Sequence, residues 1–169
     1  MRRQAATAST RQPDREAIMP ETETMKRAQE DAREGKSPST QAGEFVREEM
    51  HHVREGKHGA RSTKQAIAIG LSKARRAGVK LRPPRKRAAS KRTRRQAARD
   101  VAKGQSHTKR AVSRTRSTAV KGALKREGHS AASHSALARQ ARSSARRRTA
   151  SQRSAAAKRA ARTRVRHGR

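Results

Sequence analysis

The stretch that decides the fold is REGKHGARSTKQAIAIGLSKARRAG, residues 54–78. It begins with a helix end, because Gly56 follows Arg-Glu and glycine readily takes the left-handed conformation that stops a helix. Ser62 then offers a capping hydroxyl, and Gln65 follows three residues later, a spacing typical of a helix start. The stretch therefore predicts a turn and a new helix within 25 residues.

The helix that opens at Ser62 has one apolar face, one glycine in its interior and one glycine just after its end. Gly78 supplies its stop, and Gly70 lies inside it, where glycine costs about 1 kcal/mol relative to alanine. We interpret Gly70 as a point of close packing against the preceding helix. The apolar face consists of Ala66, Ile67, Leu71 and Ala74.

Two earlier helices are predicted by the same signals. One runs from Pro20 to about Glu34 and ends at Gly35, with acidic residues in its first turn that suit the helix dipole. The other opens at Ser37-Pro38 and runs to about Glu55. Its apolar residues recur at helical spacing. The predicted core of the resulting module is Phe45, Val46, Met50, Val53, Ile67 and Leu71.

Composition argues against a larger core. Leu, Ile, Val and Phe together number 15 of 169 residues. Ordering one backbone residue costs about 1–2 kcal/mol, and a buried Leu or Ile returns only about 1.5–3 kcal/mol. Pro83-Pro84 forces an extended spacer that no helix crosses. The predicted fold class is therefore mostly α: a two- to three-helix module over residues 19–83, then a long disordered polybasic tail over 84–169, low in complexity and helical only in part when phosphates neutralise it.

The first 18 residues form a leader that can be interpreted in two ways. They are rich in Ala, Ser, Thr and Arg, which imitates a transit peptide. We favour the plainer interpretation that the leader is disordered and that Met19, followed by Pro20, is the true start.

Charge is distributed unevenly along the chain. The formal net charge is +33, and beyond residue 55 the only acidic residues are Asp100 and Glu127. Such an asymmetry indicates a polyanionic partner. Because Phe45 is the only aromatic residue, base stacking is disfavoured and duplex phosphates are favoured over single strands. The predicted nucleic-acid-binding residues are Arg75, Arg76, Lys80, Arg82, Arg85, Lys86, Arg87, Arg92, Arg94, Arg95, Arg146, Arg147 and Arg148.

Several function classes are excluded or disfavoured. The chain has no Cys, so disulfides and thiolate chemistry are excluded. No apolar run approaches a membrane span. His51 and Glu55 have ligand spacing, but we interpret His51, His52 and His58 as solvated histidines near a helix end. We expect no metal, no cofactor and no enzymatic activity.

Residues 25–83 contain Glu49-Met50-His51, Gly56-Lys57 and the segment from Ser62 to Gly78. This pattern resembles a bacterial family of small domains of unknown function, whose hallmark is a Met-His helix, a Gly-Lys turn and a KQAIAI-type helix. The resemblance implies a short basic helical protein with Lys/Arg-rich extensions, and no activity. The Ala-, Lys- and Arg-rich tail separately resembles bacterial histone-like tails.

The leading functional prediction is a non-enzymatic, histone-like, nucleoid-associated protein of the bacterial cytoplasm that binds duplex DNA without sequence preference. One alternative is an adaptor that docks a protein partner on the face of Phe45, Val46, Met50, Ile67 and Leu71, while the tail anchors it to nucleic acid or, less favourably, to anionic lipid. Another is an RNA- or ribosome-associated basic protein.

Overall fold

A computed structural model describes residues 20–106 and 113–166. The regular secondary structure of these residues is entirely helical, with turns, one short 3-10 segment and an irregular segment after α3 between the helices. In chain order the elements are α1 (Thr22–Arg33), α2 (Pro38–Arg54), α3 (Thr63–Arg76), α4 (Lys91–Gln105), α5 (Arg114–Lys125), the 3-10 turn (Ser130–Ala132), α6 (His134–Arg146) and α7 (Ala150–Arg166).

The first three helices begin and end where local sequence signals predict. The Ser37 hydroxyl accepts a hydrogen bond from the Thr40 amide at the start of α2, and the Ser62 hydroxyl accepts one from the Gln65 amide at the start of α3. The three glycines predicted to stop these helices all have positive φ, namely Gly35 (70°), Gly56 (74°) and Gly78 (94°). These boundaries are set by the residues beside them, so sequence alone locates them.

Helices α2 and α3 approach each other closely at Gly70. A Cβ on Gly70 would lie 2.7 Å from the Val46 Cα and 2.9 Å from the Phe45 carbonyl oxygen. Only a residue without a side chain fits at that distance. The predicted close packing of Gly70 against the preceding helix is confirmed.

The apolar interior is divided into two small clusters. The first lies among α1, α2 and α3, and the second among α2, α3 and the 3-10 turn. The first comprises Ala28, Ala42, Phe45 and Ala74, with Met25, Leu71, Ala77, Val79 and Leu81 at its margin. The second comprises Met50, Val53, Ala60, Ala66, Ala131 and Ala132, with Val46, Ile67 and Leu137 at its margin.

The predicted long disordered tail over 84–169 is wrong. Within its described residues, 84–106 and 113–166, the chain forms four α-helices and the 3-10 turn, and much of this region packs on the first three helices. As predicted, no helix crosses Pro83-Pro84; the next helix begins at Lys91, capped by Ser90. The segment from Lys91 to Gln105 packs against α3, where Ala97 and Asp100 are buried.

Hydrogen bonds to backbone carbonyls join the C-terminal half to the turn between α2 and α3. The Arg54 Nε donates to the Ala132 oxygen at 2.8 Å, and the Thr63 hydroxyl donates to the Ala131 oxygen at 2.6 Å. The Gly59 amide donates to the Leu124 oxygen at 2.9 Å. A Cβ on Gly59 would overlap the Glu127 carbonyl, so this contact also depends on glycine.

The C-terminal half folds with few large apolar side chains because alanines fill its contacts with the first three helices. Ala97, Ala131 and Ala132 are buried, and alanine both favours helix and fills the narrow gaps left between closely spaced backbones. By contrast α5, α6 and α7 bury no residue of their own, and serine or threonine hydroxyls at Ser113, Ser133 and Thr149 accept from the amides at their N-termini.

The predicted leader of residues 1–18 and the proposed start at Met19 lie outside the described residues. Among those that are described, no helix is both long and apolar enough to cross a membrane.

Candidate nucleic-acid interface and a buried polar cluster

Most of the predicted phosphate-binding cations lie on the surface. They lie on the irregular segment after α3, on the first turns of α4, and at the junction between α6 and α7. The exposed members are Lys80, Arg82, Arg85, Lys86, Arg87, Arg92, Arg95, Arg146, Arg147 and Arg148, and Arg94 is half-buried.

Two of the predicted residues are engaged by the fold itself. Arg75 is buried, and its guanidinium donates to the Leu81 oxygen at 3.3 Å and to the Leu71 oxygen at 3.4 Å. Burial lowers the pKa of Arg75, and the charge of nearby Asp100 acts in the opposite direction. Arg76 donates from Nε to Asp100 Oδ1 at 2.7 Å. Arg76 therefore joins α3 to α4, whereas Arg75 joins α3 to the segment that follows it.

A groove on α6 is lined by guanidinium groups. Arg139, Arg142 and Arg146 recur at helical spacing, and Arg147 and Ser143 complete a groove of about 450 Å³. With a rise of 1.5 Å per residue, the first and last of the three arginines are separated by about 10 Å along the helix. The three guanidinium groups therefore form a row of positive charge along one face of α6.

A second hollow lies where the N-terminus of α3 meets α6. It has a volume of about 590 Å³, and its walls carry hydroxyl groups together with three cationic side chains, Arg61, Lys64 and Arg139. Unpaired amides at a helix N-terminus add a partial positive charge. Cationic groups thus surround this hollow on two sides.

Acidic residues do not offset this charge. No Asp or Glu follows Glu127 in the sequence, whereas the acids of α1 and α2 pair with cations of the same region. Glu44 contacts Arg27 at 2.8 Å and Asp31 contacts Lys36 at 2.7 Å. The positive potential is therefore concentrated on the C-terminal half.

A different polar cluster is buried between α2, α3 and the turn that joins them. It contains Glu48, Glu49, His52, His58 and Lys73, and every one of these side chains is at most 9% exposed. The Lys73 Nζ lies 2.8 Å from Glu49 Oε2 and 3.5 Å from Glu48 Oε1. The His58 Nε2 lies 3.2 Å from Glu49 Oε1. Buried carboxylates require a cationic partner, and Lys73 lies beside both of them.

Glu21 closes the cluster on the solvent side. Its Oε1 accepts from His52 Nε2 at 2.8 Å and from Lys57 Nζ at 3.1 Å. These two hydrogen bonds, with His52 the stronger, lower the pKa of Glu21 to about 2. The carboxylate is therefore ionised at neutral pH and fixes one ring nitrogen of His52.

The interpretation of the three histidines as solvated is wrong for two of them. His51 is exposed and pairs with Glu55 at 3.1 Å, whereas His52 and His58 are buried. A signal for this was present in the sequence. Glu48, Glu49 and His52 follow Phe45 by three, four and seven residues, which places them on the same helix face as that buried aromatic ring.

Residues 33–87 match DUF6496, a family of unknown function. The match covers about a third of the chain and ends before α4 begins. No curated protein and no solved structure matches the chain.

The DUF6496 segment and the basic helices are separate parts of the chain. The segment contains α2, α3 and all five residues of the buried polar cluster, while Glu21 precedes it. Helices α4 to α7 follow it. The buried cluster thus lies within the family segment, and most of the exposed arginine surface lies outside it.

Proposed function

We propose that this protein binds duplex DNA through its phosphates, without sequence preference and without catalysis. The observation that carries the proposal is the surface of α6 and α7, where many arginines are exposed and no acidic residue is present. A helical surface of this kind presents its cations in fixed rows, and a polyanion is the partner that neutralises them.

The affinity in this proposal comes from counterion release. Each cation that contacts a duplex phosphate displaces condensed salt ions, so the logarithm of the binding constant falls with the logarithm of salt concentration by about 0.9 for each phosphate neutralised. The groove formed by Arg139, Arg142 and Arg146 and the triplet 146–148 are the principal contact sites. Lys80, Arg82 and the cations at 85–87 continue the contact along the irregular segment between α3 and α4.

The single aromatic residue supports duplex over single-stranded nucleic acid. Proteins that bind single strands stack bases on aromatic rings. Phe45 is the only Phe, Tyr or Trp in the sequence, and it is completely buried. Phosphate contacts remain as the means of binding, and they position a protein without reading sequence.

The place of action is part of the same proposal. Resemblance of the segment around KQAIAIGLSKAR to a bacterial family, and of the C-terminal composition to histone-like tails, supports a nucleoid-associated protein of the bacterial cytoplasm. Sequence-independent binding to phosphates suits coverage of long DNA. The adaptor alternative is less favoured, because Phe45 and Met50, two of the five residues of its predicted docking face, are buried within the chain.

Fluorescence anisotropy with labelled 20-base-pair duplexes of unrelated sequence tests the proposal. We expect dissociation constants that agree within about threefold across sequences. Unlabelled duplex DNA should displace the probe at least as well as a structured RNA of equal length. A preference above tenfold for one duplex would indicate base readout, and a preference above tenfold for RNA would favour the RNA-associated alternative; either result overturns the proposal.

A further inference from the structure

We propose that Glu49, His52 and His58 form a binding site for a divalent transition-metal ion, with Zn²⁺ as the best fit. One ligand atom from each residue lies within 4.8 Å of the other two, and all three residues are buried. Two imidazoles and one carboxylate are ligand types that Zn²⁺ commonly takes in proteins. The proposal concerns the DUF6496 segment and is independent of DNA binding.

His58 is oriented as a metal ligand. Its Nδ1 lies 3.1 Å from the Gly59 carbonyl oxygen, which can only accept a hydrogen bond, so the ring proton is assigned to Nδ1. The lone pair then belongs to Nε2, which lies 3.2 Å from Glu49 Oε1. Two ligands at about 2.0–2.1 Å from a tetrahedral zinc ion are separated by about 3.3 Å. This pair already has the required separation.

His52 is held in the complementary manner. Its Nε2 donates to the ionised carboxylate of Glu21 at 2.8 Å, which leaves the lone pair on Nδ1. That Nδ1 is buried and has no hydrogen-bond partner among the described residues. A buried polar atom without a partner is costly. A metal ion would satisfy it, and a carboxylate on the distal nitrogen is the usual companion of a metal-binding histidine.

Glu49 contributes one oxygen and keeps the other occupied. The Lys73 Nζ lies 2.8 Å from Oε2, so Oε1 faces the histidine side of the cluster. With neutral histidines, the charges of Glu48, Glu49 and Lys73 sum to −1. A divalent cation therefore enters a buried site of opposite net charge, which favours its binding.

The three ligands come from two places in the fold. Glu49 and His52 lie one turn apart on α2, and His58 lies in the turn before α3. A bound ion would join that turn to α2 and so stabilise the approach of α3. Zinc binding should therefore raise the stability of the fold, because a ligand that binds only the folded state stabilises it by mass action.

Isothermal titration calorimetry of the metal-free full-length protein with ZnCl₂ near pH 7.5 tests this proposal. We expect one Zn²⁺ per chain, a rise in melting temperature on zinc addition, and a loss of affinity of at least tenfold in His52→Ala and in His58→Ala. The matched control is His51→Ala, which removes an exposed neighbour of His52 and should bind zinc as the unaltered protein does.

A second measurement covers the case in which the alanine variants fail to fold, as judged by circular dichroism. Co²⁺ bound to the unaltered protein should give intense visible absorption, typical of a low-symmetry nitrogen and oxygen site, and excess Zn²⁺ should abolish it. A Co²⁺ spectrum identical to that of the hydrated ion overturns the proposal. So does zinc affinity in folded His52→Ala and His58→Ala that equals the affinity of the His51→Ala control.

Discussion

The Arg76 Nε donates to Asp100 Oδ1 across 2.7 Å, and the Asp100 side chain is completely buried. Gln96 donates to the same oxygen at 3.1 Å from one turn earlier on α4. Arg76 ends α3, so this contact joins the DUF6496 segment to the first helix of the basic half. The two partners differ in exposure, since 47% of the Arg76 side chain remains accessible to solvent.

That difference predicts unequal effects of removing each partner. Arg76→Ala removes the cation that hydrogen-bonds to the buried Asp100 carboxylate, and because Arg75 remains nearby we expect a loss of about 3 kcal/mol, the lower end of the range for buried pairs. Asp100→Ala leaves an arginine that can turn to solvent, so we expect a loss of about 1 kcal/mol. Urea unfolding followed by circular dichroism measures both, with Arg95→Ala on the same helix as an exposed control. Equal losses in the two variants would contradict this account of the contact.

Two helix-interior glycines should respond to alanine with opposite signs. At Gly70 a Cβ would lie 2.7 Å from the Val46 Cα, so Gly70→Ala should destabilise the protein by about 1–3 kcal/mol through overpacking. At Gly43, also within a helix, nothing lies within 4 Å of the added Cβ. Gly43→Ala should therefore stabilise by up to about 1 kcal/mol. Thermal unfolding of both variants checks the prediction, and stabilisation by Gly70→Ala would show that α2 and α3 do not approach as described.

Thr63 connects the start of α3 to the 3-10 turn. Its hydroxyl donates to the Ala131 oxygen at 2.6 Å in a buried position. Thr63→Val keeps the shape but leaves that carbonyl without its donor, at a cost of about 1–3 kcal/mol. We expect faster amide hydrogen exchange across α6, with little change in α1. The control is Thr118→Val, at an exposed position on α5, and unchanged exchange in Thr63→Val would argue against docking of the 3-10 turn.

Glu21 should make stability depend on pH in acid. Hydrogen bonds from His52 and Lys57 lower its pKa from 4.5 to about 2 in the folded protein. A group whose folded pKa is depressed contributes stability above its unfolded pKa and loses it as pH falls through the folded value. Glu21→Gln should therefore destabilise the protein at pH 6 and have progressively less effect between about pH 4.5 and pH 2.

The measurement for Glu21 is urea unfolding across that pH window, with Glu30→Gln on the exposed side of α1 as the control. Since half of the Glu21 side chain is exposed, solvent screening keeps the effect small, and we expect it to be about 1 kcal/mol or less. A difference between Glu21→Gln and the unaltered protein that is constant from pH 6 to pH 2 would contradict the assigned role.

The helices of the first half could be predicted from sequence because their signals are local. Ser37-Pro38, Ser62 and the three left-handed glycines act within a few residues of the helix end they determine. The close approach at Gly70 could also be predicted from sequence. A glycine inside a helix costs stability, and close packing against a neighbouring helix is a reason for that cost to be accepted.

The folded C-terminal half could not be predicted because its contacts are small and distant in sequence. Ala131 and Ala132 are buried, and their carbonyl oxygens accept hydrogen bonds from the side chains of Thr63 and Arg54. The two pairs are separated by 68 and 78 residues in sequence. Every residue has a backbone carbonyl, so the sequence does not indicate which carbonyls accept these hydrogen bonds. An estimate based on large apolar residues assigns such a segment to disorder.

The buried polar cluster was missed for a related reason. His51 and His52 are adjacent, and which of them faces inward depends on the register of α2 against α3. The position of Phe45 on the same face settles that register once it is known to be buried. Lys73 comes from another helix altogether, so no spacing rule connects it to Glu49.

The central claim is that the basic helices contact duplex phosphates, and the salt dependence of duplex binding tests it most directly. The measurement compares the unaltered protein with the triple variant Arg146→Gln, Arg147→Gln and Arg148→Gln. A control of equal charge change carries Lys26→Gln, Arg33→Gln and Arg47→Gln on the exposed surface of α1 and α2. We predict that the slope of log K against log salt falls by about one for each arginine at 146–148 that contacts a phosphate, with no change in the control. A shallow slope in the unaltered protein, or equal slopes in the two triple variants, would contradict the claim.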